Sequence, residues 1–66
     1  MTFSYLIMWT KTANGSVTNG TEMASFEAKD DDVAYRKVLN KKLDYAGAGA
    51  QVRAFMFDGK PREVVE

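Results

Sequence analysis

The sequence predicts an α+β domain of order ββαββ, an antiparallel four-stranded sheet with one helix packed on one face. Three observations lead there. Two stretches rich in aromatic, β-branched and alternating residues flank a segment holding two Asn-Gly pairs, one segment with helical periodicity follows a triple Asp, and two short strand-like stretches enclose a second turn.

Residues 2–12 are aromatic and β-branched without a breaker, which reads as a strand of above-average length. Residues 13–20 contain Asn14-Gly15 and Asn19-Gly20. The chain reverses there, either tightly at Asn14-Gly15 or through the whole segment as one longer loop. Each Asn-Gly also opens an Asn-x-Ser/Thr sequon, but nothing else in the sequence points to secretion, so turns are the preferred reading. Residues 21–29 then alternate, Ala24, Phe26 and Ala28 against Met23, Ser25 and Glu27, as a half-buried strand does.

Asp30-Asp31-Asp32 opens the helix, since an Asp oxygen accepts from first-turn amides and the carboxylates oppose the positive end of the helix dipole. Asp30 is the expected N-cap. At about 100° per residue, Ala34, Tyr35, Val38, Leu39, Leu43, Tyr45 and Ala46 share one half of the wheel. Arg36, Lys37, Asn40, Lys41 and Asp44 share the other, with Asp32 and Arg36 at a favourable i,i+4 spacing. Lys42 falls within the apolar stripe, where its stem can lie on apolar surface while its amine reaches water. Gly47 or Gly49 is the expected left-handed cap. Residues 51–57 form the third strand, Asp58-Gly59-Lys60-Pro61 a turn, and residues 62–65 a short fourth strand, which begins after Pro61 or lies at a sheet edge because Pro61 has no amide to donate.

Composition bounds what such a domain can do. The 66 residues carry nine Lys plus Arg and nine Asp plus Glu, with no His and no Cys. They make a single small domain, residues 1–66, which buries only about 60% of the surface its unfolded chain exposes. Thiolate and imidazole metal sites, disulfides, a Cys nucleophile and a His base are excluded. Asp30, Asp31 and Asp32 point in different directions at a helix start and lack the rest of a calcium loop. Gly47 and Gly49 follow a helix and precede a strand, the reverse of a phosphate-binding glycine loop. No catalytic residue, metal or cofactor is therefore expected, and the chain is read as non-enzymatic. The apolar run Tyr5-Leu6-Ile7-Met8-Trp9 is far shorter than the roughly 20 residues of a membrane helix, so a cytoplasmic protein is expected.

One helix cannot cover both faces of a sheet whose strands are apolar on both sides. Leu6, Met8, Ala24, Phe26, Ala28, Val52, Ala54 and Met56 are assigned to the helix side, because small residues there leave room for the helix. The opposite face then carries Tyr5, Ile7, Trp9, Phe55 and Phe57, with Arg53 and Glu27 nearby. An uncovered aromatic face on a small protein marks an interaction site, the alternatives being that the C-terminal strand and the 13–20 loop fold over part of it or that helix and open face are exchanged. Tyr5, Ile7, Trp9, Arg53, Phe55 and Phe57 are accordingly the expected protein-binding residues, for a second copy in a homodimer or for a larger protein. The rival expectation is a nucleic-acid-binding domain using Arg36, Lys37, Lys41 and Lys42 on phosphates. Against it stand zero net charge and a helix placed away from the aromatic face.

In plan, a very short neutral ββαββ chain resembles small accessory proteins of bacteriophages and mobile elements, some of which block bacterial defence complexes by binding them. The resemblance is one of architecture alone, and it implies a protein-binding role without assigning any residue to it.

Overall fold

The computed structural model describes residues 1–66 and has the expected order. Strand β1 (Thr2–Ala13) and strand β2 (Ser16–Glu27) form a long hairpin, helix α1 (Asp31–Gly47) follows, and β3 (Gln51–Phe57) and β4 (Pro61–Glu63) close the chain. One antiparallel sheet holds all four strands in the order β2-β1-β3-β4. None of its helices is long and apolar enough to cross a membrane.

The first reversal takes the tight form. Asn14 and Gly15 have φ of 53° and 77°, the two left-handed residues of a two-residue hairpin turn, a conformation Asn and Gly reach at least cost. Because the turn is so short, Ala13 faces Ser16 and the ladder runs without a break to Thr2 opposite Glu27. Strand β2 thus begins at Ser16, five residues before the alternation becomes apolar. The stretch 16–20, polar apart from an exposed Val17, is held in strand form by backbone pairing with β1.

The start of the helix is as expected. Asp30 adopts an extended backbone, and its Oδ1 accepts from the Val33 amide at 2.9 Å. Asp32 pairs with Arg36 at 3.0 Å. At the far end the helix runs through Gly47, and Gly49, with φ of 91°, takes the left-handed position. Strand β4 occupies Pro61–Glu63 instead of residues 62–65, with Pro61 opposite Phe57 on a sheet edge that asks no amide of it. Beyond it Val64 turns into the core and donates its amide to the Ala54 carbonyl at 2.8 Å.

Helix α1 lies over β3 and β1. Beneath it Phe3, Tyr5 and Ile7 of β1, Ala54 and Met56 of β3, Ala34 and Val38 of the helix, and Ala28 and Val64 from the connecting and terminal segments form the buried core. The face assignment for β1 is therefore inverted. Tyr5, Ile7 and Trp9 lie on the helix side, and Leu6 and Met8 lie on the open side. Register gives the reason: Ile7 stands opposite Ala54, Tyr5 opposite Ala24 and Trp9 opposite Gly20. The small residues of the flanking strands make room for large side chains of the central strand. A shift of one position in the reading of β1 moves its whole apolar set to the other face.

Candidate functional site

The helix-free face is built from alternate residues of all four strands. Register places Ser4, Leu6, Met8 and Thr10 of β1 beside Thr21, Met23 and Ser25 of β2 and beside Gln51, Arg53, Phe55 and Phe57 of β3. Leu6, Phe55 and Phe57 are half-buried by their neighbours, whereas Met8 is 36% and Met23 74% exposed. Two shallow hollows flank this apolar centre. One, of about 530 Å³, is lined by Met8, Thr10, Asn19, Thr21, Gln51 and Arg53, and the other, of about 250 Å³, by Ser4, Met23, Ser25 and Phe57. At the β4 side Arg53 donates to both Glu63 carboxylate oxygens at 3.0 Å, and its guanidinium lies 5.2 Å from the Phe55 ring centre. This two-pronged bond holds the Arg53 guanidinium above and the Glu63 carboxyl below their ordinary pKa.

Of the six expected binding residues, the structure brings three together on this face, Arg53, Phe55 and Phe57. Tyr5 and Ile7 belong to the core, and Trp9 stacks on Tyr45 of the helix with ring centres 6.1 Å apart. Their places on the open face are taken by Leu6, Met8 and Met23. Met23 and Ser25 point there in the sequence alternation, but Leu6 and Met8 are expected on the helix side, an assignment that goes wrong because β1 is apolar on both alternations.

The four basic helix residues are spread among other tasks. Arg36 pairs with Asp32, and Lys41 Nζ lies 3.7 Å from Glu22. Lys37 Nζ reaches the Glu27 carbonyl at 3.4 Å. Lys42 donates to the Val64 carbonyl at 3.1 Å instead of turning to water.

On the helix side of β2, Glu22 forms a polar latch absent from any local pattern. Its Oε2 accepts from the Tyr5 hydroxyl and its Oε1 from the Tyr45 hydroxyl at 2.5 Å, with Lys41 nearby. The hydroxyls of Tyr45 and Tyr5 hold the Glu22 carboxyl below its ordinary pKa. In return the bond to Glu22 pushes Tyr5 up to about 12 and raises Tyr45. The latch ties β1, β2 and α1 together at one point. Beside it, Gly20 leaves space for the Trp9 ring, for a Cβ there would stand 2.7 Å from Trp9 Cζ2. With this geometry in place, comparison with family models, curated proteins and solved structures finds no match to the chain.

Proposed function

We propose that this protein is a non-enzymatic protein-interaction module that works as a homodimer, each copy seating its helix-free sheet face on the other's. The observation that carries the reading is the run of apolar side chains on that face, Leu6, Met8, Met23, Phe55 and Phe57, with no second helix to cover it. Four strands at about 4.8 Å spacing and seven paired residues at about 3.4 Å give a face roughly 19 by 24 Å. Two such faces together remove at most on the order of 900 Å² of flat area from water, since β4 is only three residues long, which is below the roughly 1,200 Å² of stable interfaces and fits a weak, concentration-dependent dimer. Zero net charge removes long-range repulsion between copies. The lack of His and Cys supports a binding role over catalysis.

Solution mass across a dilution series tests the reading. At least a dimer is expected for the native chain, and Leu6→Asp or Phe55→Asp should halve its mass, because each places a carboxylate in the contact while sparing the core under the helix. Dimers unaffected by either substitution, or a monomer at every concentration, would overturn the self-contact and leave the face to a different protein.

A further inference from the structure

We infer that β2 is a second, independent interaction surface, a sheet edge that pairs antiparallel with β2 of another copy about a two-fold axis through Thr21, joining two sheets into one of eight strands. The backbone carries the inference. Met1 and Ala28 exchange both hydrogen bonds, each at 3.0 Å, so the alternation fixes which β2 residues bond inward. Ser16, Thr18, Gly20, Glu22, Ala24 and Phe26 turn their amides and carbonyls to β1, and Val17, Asn19, Thr21, Met23, Ser25 and Glu27 turn theirs outward. The Val64 amide bond to Ala54 follows the same alternation at the other side of the sheet.

Native edges of this length are normally guarded by Lys, Pro, a bulge or brevity. This one has 12 residues, no Lys, no Pro and an unbroken register. Of the outward residues Glu27 alone has its carbonyl taken, by Lys37. The remaining five, Val17 to Ser25 at every second position, are symmetric about Thr21. Centring the axis there sets Val17 against Ser25, Asn19 against Met23 and Thr21 against its own copy, for roughly ten main-chain hydrogen bonds. Glu22 then faces Gly20 of the other copy, which keeps the two Glu22 carboxylates from direct opposition. The helix packs on β3 and β1 and reaches β2 only through the side chains of Lys37, Lys41 and Tyr45, on Glu27 and Glu22. Edge pairing leaves the helix-free face untouched, so the two contacts stand or fall separately. Together they build a four-chain assembly of two stacked sheets.

Thr21→Pro and Asn19→Pro remove outward amides that the β1 ladder does not use, and their rings block an incoming strand. Each is expected to halve the solution mass of the native assembly while its circular dichroism and melting temperature stay those of the native chain at matched assembly state. Because the chain has no Cys, Thr21→Cys should cross-link through the axis under oxidation, whereas Val17→Cys, about 27 Å from its copy at 3.4 Å per residue, should not. Retention of the native mass by either folded proline variant, or equal cross-linking at 17 and 21, overturns the pairing. A mass that responds to Leu6→Asp but to neither proline would uphold the face contact and sink the edge. The reverse pattern would do the opposite.

Discussion

At one margin of the sheet β4 runs for three residues, begins on a proline, and passes its chain to Val64 and Val65, whose backbone groups are met by the helix. At the other margin β2 runs for 12 residues with no strand paired along its outer side. The short margin is closed by side chains from elsewhere. The Tyr35 hydroxyl both donates to the Val65 carbonyl at 2.6 Å and accepts from the Val65 amide at 2.9 Å, Lys42 takes the Val64 carbonyl, and Arg62 pairs with Asp31 at 2.9 Å while lying over the Tyr35 ring. A single helix can guard only the margin it lies near. Placing α1 over β3 closes the β4 side and leaves the β2 side to an incoming strand.

Breaking the closed margin should have the largest effect. Val64 is fully buried, so Val64→Asp leaves an unpaired charge under the helix and should cost about 3–5 kcal/mol in urea unfolding. Loss of less than about 1 kcal/mol would mean that the terminal segment is not part of the core. At the open margin, Gly20→Ala should cost about 1–3 kcal/mol, since the added methyl meets the Trp9 ring. The displaced indole would leave Tyr45, and a change in Trp9 fluorescence should accompany the loss. Tyr35→Phe sharpens the contrast further. It removes the clamp on Val65 without altering packing, for about 1 kcal/mol, and unchanged stability would show that the clamp is made with solvent at no net gain.

The smallest effect is the pH response of the latch on β2. Glu22 has a folded pKa below its ordinary 4.5, so its contribution is present above that value and is lost as pH falls toward the folded pKa. Tyr5 is raised from 10.0 to about 12, so its contribution is present below pH 10 and fades as pH rises toward 12. Melting temperatures of native and Glu22→Gln chains should therefore differ at neutral pH and converge at both extremes. A constant difference across the range would remove the latch from the account of stability.

What the sequence revealed follows from how local each signal is. The Asp30 cap, the Asn14-Gly15 turn and the alternation of Ala24 and Phe26 depend on neighbours in the chain and stand in the structure, whereas Ala28, read as the last of that alternation, is buried just past the end of β2. The orientation of β1 does not. Phe3, Tyr5, Ile7 and Trp9 compete with Leu6 and Met8 for the core, and only the partners opposite them, Ala24, Gly20 and Ala54, decide between the two. The Glu22 latch was hidden for a related reason. Tyr5, Glu22 and Tyr45 are far apart in sequence and meet only once register and helix placement are both set.

The molecule measures 42 × 17 × 15 Å, and its long dimension is that of the hairpin. One half of β1 runs beneath the helix and beside β3, while its last three residues, Lys11 to Ala13, pair only with Ser16 to Thr18. The same strand therefore spans two levels of protection from solvent. Backbone amide deuteration should be slow at Ile7, where opening requires disruption of the core, and fast toward the turn, where fraying of a bare ribbon is enough. The gradient runs along a single uninterrupted ladder, so it is set by what lies above the strand, not by the hydrogen bonds within it.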